Sequence, residues 1–146
     1  KVYYLSAPQI TKANAGDWGR VWIETVGAEF AIPEADLNGD VTAEKAISWD
    51  PDVIVIQGGK NIEELYADET VQDIKAIKNR QVYSVPIAGF WWDRPSPEAT
   101  LGFLWLAKTV YPDYTEDIDL EKETKDFFRE FYEYELSDEE YQSFFG

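Results

Sequence analysis

The side chains that most often carry enzyme chemistry are missing from this sequence. Its 146 residues include no His, no Cys and no Met, which excludes thiol nucleophiles, imidazole bases, Cys/His zinc sites and disulfides. Catalysis would therefore have to depend on carboxylates, Tyr, Lys, Ser or Thr. The loops that follow the predicted strands hold no paired acids, and the nucleophile motif GxSxG is absent. We predict that the chain is not an enzyme and has no catalytic residues and no cofactor.

One loop combines bulky aromatic side chains with a cation. It reads Gly89-Phe90-Trp91-Trp92-Asp93-Arg94 and is followed by Pro95, which holds Arg94 in an extended conformation. Arg94 could contact an anionic ligand or stack on a ring, and the alternative is a salt bridge to Asp93. Adjacent loop side chains tend to diverge, so we expect at least one of Trp91 and Trp92 to face a ligand or a partner.

The elements around this loop alternate between strand and helix. Short β-branched and aromatic runs predict four strands, at Val2–Ser6, Glu29–Ile32, Val53–Ile56 and Gln81–Val85. Helical spacing lies between and after them. It predicts a short helix at Ala43–Trp49 with Thr42 as its cap and a buried helix whose first position is Pro97. A last helix, at about Leu120–Glu135, carries an aromatic stripe that we expect to pack in the core, formed by Phe127, Phe128, Phe131 and Tyr132. The alternation of strands and helices predicts an α/β fold in three layers, with a mainly parallel sheet of about four strands and helices on both faces, as in a Rossmann-like lobe.

Ligands of such sheets bind beyond the carboxyl ends of the strands. Gln57 follows the most apolar strand in Gln57-Gly58-Gly59, and the aromatic loop follows the last strand. Gln57 is therefore a weaker candidate for ligand contact than the loop residues. No glycine-rich phosphate motif accompanies these residues.

Composition limits the partners that the chain could take. Hydrophobic residues make up 45% of it, and 29 Asp and Glu face 13 Lys and Arg, which gives a formal net charge of −16. This composition suits one folded domain over residues 1–146, and its acidity argues against nucleic acid as a partner. No run of 18 apolar residues is present, so we predict no membrane span.

Several segments together resemble class III periplasmic substrate-binding proteins, which serve ABC importers of iron–siderophore complexes, haem and cobalamin. The segment Trp49-Asp50-Pro51-Asp52-Val53-Ile54-Val55-Ile56 is similar to a strand motif of that family. Residues 74–86 resemble its next strand element, and residues 89–98 with the apolar stretch 101–112 resemble its ligand loop and following helix. The matches occur in the family's order and spacing, whereas residues 1–43 match more loosely.

The resemblance implies two lobes joined by a long helix, with the solute bound between them. It also implies that residues 1–146 are the C-terminal lobe, with the N-terminal lobe and the linker helix absent. Ligand contact then falls on Trp91, Trp92 and Arg94, with Gln57 as a weaker candidate. The family presents a surface carboxylate to the permease, and the matching position here is Glu98.

The implied function is capture of a chelated iron compound, or a related complex such as haem or cobalamin, for an ABC importer. The implied partners are this solute and the permease subunits, and the implied location is extracytoplasmic, either periplasmic or at the surface with a lipid anchor on the parent protein. Because bare Zn or Mn usually binds through His, we predict no direct metal ligands.

Two other classes of function stay open. The chain could be a protein–protein interaction domain that docks its partner through a patch of Trp91 and Trp92, because exposed aromatic patches mark such surfaces. A small carboxylate-based α/β enzyme is the weaker alternative, since it would need two acids brought together in a cleft.

Overall fold

Three short strands within residues 1–85 form a parallel sheet. The structure is a computed structural model that describes residues 1–146. Its strands β1 (Val2–Leu5), β2 (Val53–Ile56) and β3 (Val82–Ser84) lie in the order β1-β2-β3. Val2 pairs with Val53, and Ile54 pairs with Val82. Every residue of β1 and β2 is buried, as their continuous apolar sequences predict.

Helices occupy both crossovers between these parallel strands. Helices α1 (Asp17–Thr25) and α2 (Ala43–Trp49) lie between β1 and β2, and the short helices α3 (Glu63–Tyr66) and α4 (Lys75–Lys78) lie between β2 and β3. The Thr42 side chain caps α2 by accepting from the Lys45 N–H at 3.3 Å. The α/β class with a parallel sheet flanked by helices is therefore confirmed.

The sheet has three strands rather than about four, because Glu29–Ile32 does not extend it as a strand. That segment makes one isolated parallel bridge, between Val2 and Phe30. The Val2 N–H donates to the Glu29 carbonyl at 2.8 Å, and the Ala31 N–H donates to the Val2 carbonyl at 2.9 Å. Pro33 follows at once and cannot donate to a ladder, so the pairing ends there.

Loops and side chains also engage both outer edges of the sheet. On the β1 side, the Asn14 N–H donates to the Tyr4 carbonyl and the Ser6 N–H to the Lys12 carbonyl, each at 2.8 Å. On the β3 side, the Val82 N–H donates to the Tyr66 hydroxyl at 3.2 Å. The backbone groups of these edge residues are thereby satisfied within the chain.

Aromatic pairs form much of the core around this sheet. Tyr4 packs edge-on against Trp22 and Tyr3 packs edge-on against Trp49, each with ring centroids 5.7 Å apart. The buried Tyr3 hydroxyl donates to the Ile10 carbonyl at 2.7 Å, which satisfies the one polar atom of this ring. Burial raises the pKa of Tyr3 well above its usual range, so it stays protonated.

Residues Lys1–Val85 form one compact unit and residues Pro86–Gly146 form a second. The expectation of a single domain stays a prediction. The second unit holds helices α5 (Ala99–Val110), α6 (Leu120–Tyr132) and α7 (Asp138–Ser143). Ser137 begins α7 with a capping box, as its sequence predicts. Helix α5 begins at Ala99, two residues later than a start at Pro97 would give.

The aromatic stripe of α6 is only partly core. Phe128 is buried and stacks on Phe144 with ring centroids 5.8 Å apart. Phe131 is 68% exposed, and Tyr132 is 43% exposed. We predicted that the whole stripe packs in the core; this was wrong for Phe131 and Tyr132, whose side chains reach the surface.

Candidate functional site

The aromatic loop lies in the second unit, directly before α5. Its backbone is held by bonds among its own residues: Ile87 and Trp91 form an antiparallel bridge. The Ala88 N–H donates to the Phe90 carbonyl at 3.0 Å, and the Trp92 N–H donates to the Pro86 carbonyl at 3.3 Å. The loop is therefore an ordered turn that holds its side chains in defined positions.

The two adjacent tryptophans diverge, as expected. Trp92 is fully buried, and its ring lies edge-on to Phe145 with centroids 6.0 Å apart. Its indole N–H donates to Glu98 Oε2 at 3.1 Å. Trp91 is half-buried and stays at the surface. Trp92 thus anchors the loop in the interior, which removes it as a direct ligand contact in this structure and leaves Trp91 as the exposed ring.

Glu98 lies in the interior and not at the surface where we expected it. Its exposed fraction is 0%, and both carboxylate oxygens accept hydrogen bonds, Oε2 from Trp92 and Oε1 from the Tyr132 hydroxyl at 2.9 Å. Burial and the neighbouring Glu98 carboxylate raise the pKa of Tyr132 to about 12, so the hydroxyl stays a donor at neutral pH. A buried carboxylate cannot meet a permease, and Glu98 is therefore withdrawn as the docking residue.

Two glycines permit this close packing. A Cβ atom at Gly89 would lie 2.5 Å from Glu98 Oε1, and a Cβ atom at Gly102 would lie 1.9 Å from the Trp92 carbonyl oxygen. Both distances are far shorter than van der Waals contact. The backbone at Gly89 therefore approaches the carboxylate directly, while Trp92 lies against the backbone of α5.

The surface of the loop carries a stacked cation. The Arg94 guanidinium carbon lies 4.6 Å from the centroid of the Trp91 ring, within the range of a cation–π interaction. Phe90 is 42% exposed and packs edge-on against the same ring at 5.5 Å. Arg94 Nε also lies 3.7 Å from Oδ1 of the buried Asp93. The stacking and the ion pair, posed as alternatives by the sequence, are therefore both present.

Gln57 belongs to the first unit. Its backbone N–H donates to the Leu5 carbonyl at 2.9 Å, which fixes it at the carboxyl end of β2. The side chain is half-buried, and the loop then turns at Gly59, where φ is +75°. Its part in ligand contact stays a prediction, as it does for Trp91 and Arg94.

Sequence reasoning missed Tyr132 as a partner of the loop. The residue was assigned to the packing stripe of α6, 34 positions from Glu98. A signal was available: a buried tryptophan N–H needs an acceptor, and Glu98 was the acid nearest to the loop on its C-terminal side.

The burial of Trp92 also halves the Trp91/Trp92 patch on which the interaction-domain hypothesis depended.

The structure shows neither a metal-ligand cluster nor a membrane-spanning helix. It contains no group of three or more His, Cys, Asp or Glu side chains that could hold a metal ion. None of its helices has both the length and the apolar character needed to cross a membrane.

A parallel α/β sheet binds its ligands beyond the carboxyl ends of its strands. The sequence model of the family described as periplasmic binding protein matches residues 1–87. The chain therefore belongs to the periplasmic binding protein family. This confirms the resemblance to periplasmic substrate-binding proteins, the prediction that the chain is not an enzyme and the extracytoplasmic location. The chelate solute and the assignment to a C-terminal lobe stay predictions.

Similar proteins are found both among sequences and among solved structures. The molybdate-binding protein MolA of Haemophilus influenzae is 31% identical over 134 residues, which cover 88% of this chain and 38% of MolA. The structure of MolA bound to molybdate has a TM-score of 0.77 at 29% identity, covering 94% of this chain and 43% of that one.

Two further solved structures match nearly the whole chain. A periplasmic solute-binding protein from Veillonella parvula has a TM-score of 0.86 at 29% identity, covering 99% of this chain and 46% of that one. An ABC transporter solute-binding protein from Sulfurospirillum deleyianum has a TM-score of 0.82 at 26% identity, covering 99% and 46%. The chain thus spans less than half the length of the relatives that it matches.

Proposed function

We propose that this chain is part of the solute-binding component of an ABC importer, and that it binds a small anionic solute containing a metal. Family membership supports the general role, and the relative from Sulfurospirillum deleyianum is itself an ABC transporter solute-binding protein. The permease subunits of the importer are the proposed protein partners. Binding without chemistry is consistent with the lack of His and Cys.

The observation that carries the choice of solute is the stacking of Arg94 on Trp91. The guanidinium lies 4.6 Å from the ring centroid, and both side chains are half-buried, so each keeps a face for a ligand. A guanidinium binds an oxyanion or a carboxylate through several N–H donors. The adjoining rings of Trp91 and Phe90 offer apolar surface to the rest of the solute.

The strongly negative charge of the chain strengthens the argument that Arg94 binds an anion. The net charge is −16, and such a surface repels free anions in general. An anion would therefore need a local positive group, which Arg94 supplies. A neutral or cationic solute would gain no charge–charge attraction from this guanidinium.

Two kinds of solute share this chemistry. One is a bulky anionic chelate, such as a ferric siderophore or haem, which the sequence resemblance implies and which would use the aromatic surface most fully. The other is a compact metal oxyanion such as molybdate, which MolA binds. Both would place negative oxygen atoms against Arg94. They differ in how much of the Trp91 and Phe90 rings they would contact.

The test is a fluorescence titration of the full-length protein. Sodium molybdate, a ferric catecholate siderophore, haem and cyanocobalamin are added separately, and tryptophan emission is followed. A molybdate response identifies the oxyanion, whereas a response to siderophore or haem identifies the chelate. Response to cyanocobalamin alone, or to none of the four, would refute an anionic solute.

Variants then locate the response on the loop. Arg94→Ala should weaken binding of the responding solute at least tenfold, the usual scale for loss of a charged hydrogen bond. Arg80→Ala is the matched control, because the Arg80 guanidinium stacks on Tyr66 at 4.3 Å in the first unit. Trp91→Ala should affect a chelate much more than molybdate. Equal affinity in wild type and Arg94→Ala would refute the assignment of this loop.

A further inference from the structure

We infer that Glu98 is a positioning residue, which together with Tyr132 holds residues 89–92 in the conformation that presents Trp91 and Arg94. This inference rests on the proposed function, because it concerns the same loop. It assigns to Glu98 an internal role in place of a surface role.

The first evidence is the way in which the carboxylate is shared. Glu98 is fully buried, and its two oxygens are used by different segments: Oε2 by the Trp92 indole and Oε1 by the Tyr132 hydroxyl. A buried carboxylate that loses a donor is left with an unsatisfied acceptor in a place that excludes water. Both donors are therefore held strongly, and the loop is tied to the end of α6.

The second evidence is the lack of space for any other arrangement. Gly89 lies so close to Glu98 that an added Cβ atom would be 2.5 Å from Oε1. On the other side, the Trp92 carbonyl lies against Gly102 of α5. The backbone of the loop is thus in contact with the carboxylate at its start and with α5 at its end.

The anchored residues flank the ones that face solvent. Trp91 lies between Phe90 and the buried Trp92, and Arg94 lies two residues after Trp92. A loop released from Glu98 would place the Trp91 ring and the guanidinium in their stacked arrangement for a smaller fraction of the time. Apparent affinity falls in proportion to that fraction, so Glu98 and Tyr132 should affect binding without touching the solute.

The experiment compares Tyr132→Phe with Tyr134→Phe in the full-length protein. Each variant removes one tyrosine hydroxyl that donates to a glutamate, the buried Glu98 in the first case and the half-buried Glu140 in the second. Hydrogen exchange of residues 87–94 is measured first, without any solute. Tyr132→Phe should speed exchange of this segment about tenfold, while Tyr134→Phe should leave it unchanged.

Affinity is measured next, with whichever of molybdate, siderophore or haem the wild type binds. Tyr132→Phe should weaken binding about tenfold. Glu98→Gln should stay within about threefold of wild type, because its amide oxygen can accept from Trp92 and its amide N–H can donate to Tyr132. Glu98→Ala should lose both the ordered loop and the affinity.

The outcomes separate this inference from the function on which it rests. Unchanged exchange of residues 87–94 in Tyr132→Phe overturns the inference, whatever the solute. Faster exchange with unchanged affinity also overturns it. If Arg94→Ala keeps full affinity, or if no probe binds, the proposed function fails, while the exchange result still decides whether Glu98 and Tyr132 position the loop.

Discussion

Replacement of Gly102 by alanine should destabilise the protein, although glycine to alanine changes inside helices usually do the opposite. Gly102 is buried in the first turn of α5, where alanine would ordinarily add about 1 kcal/mol through its helix propensity. Here the new Cβ atom would lie 1.9 Å from the Trp92 carbonyl oxygen and 2.9 Å from its carbonyl carbon. Both atoms belong to backbone, so no side-chain rotation can relieve the contact.

The magnitude follows from these two opposing effects. Overpacking of a buried site costs about 1–3 kcal/mol and occasionally more, and a clash with backbone belongs at the upper end of that range. After the gain in helix propensity is subtracted, we expect Gly102→Ala to lower the free energy of unfolding by about 2 kcal/mol. For a chain of this size that loss lowers the melting temperature by roughly 4–8 °C.

Thermal unfolding followed by circular dichroism would check this value, with tryptophan emission reporting on Trp92. The matched control is Gly39→Ala, where the nearest atom to the added Cβ is 3.7 Å away and stability should stay equal or rise slightly. A melting temperature of Gly102→Ala at or above that of wild type would refute the packing of the loop against α5.

Three further predictions concern other parts of the chain. Ser137→Ala removes the capping box of α7 and should cost about 1 kcal/mol in urea unfolding; an unchanged midpoint would contradict the cap. Phe128→Ala should cost about 3–5 kcal/mol, whereas Phe131→Ala, at a side chain that is 68% exposed, should change stability by less than about 0.5 kcal/mol; equal losses would show that α6 is oriented differently. Hydrogen bonds from Lys75 lower the pKa of Asp50 in the folded protein. This carboxylate therefore stabilises the fold above its unfolded pKa of about 4, and the stabilisation is lost as the pH falls below that value and through the lower pKa of the folded state. Asp50→Asn should be less stable than wild type at pH 7 but not at pH 2.5, as urea unfolding at the two pH values would show.

Local sequence signals were sufficient for the elements with clear boundaries. Helix Ala43–Trp49 and strand Val53–Ile56 have the predicted bounds, because Thr42 caps the helix and Pro51 separates the two elements. Glu29–Ile32 has the composition of a strand and forms only one bridge. Its pairing depends on where the chain passes beside β1, which its own composition does not encode.

The candidate site likewise has one part that the sequence reveals and one that it does not. The aromatic loop and its cation could be recognised from composition alone, and the divergence of Trp91 from Trp92 follows from local backbone geometry. The burial of Glu98 could not be recognised, since it depends on a tyrosine 34 residues later. A carboxylate directly before a helix is usually solvated, and only the three-dimensional contacts of Trp92 and Tyr132 make this one internal.

The hydrogen bonds along the outer edges of the sheet affect whether this protein aggregates at high concentration. An open strand edge can recruit strands from other molecules and begin aggregation. Here the segment around Phe30 and the loop at Asn14 pair with β1, and the Tyr66 hydroxyl takes the Val82 N–H of β3. These segments therefore protect a short, very apolar sheet from self-association. Substitutions or deletions at residues 12–14 or 29–31 should make the protein less soluble before they change its binding.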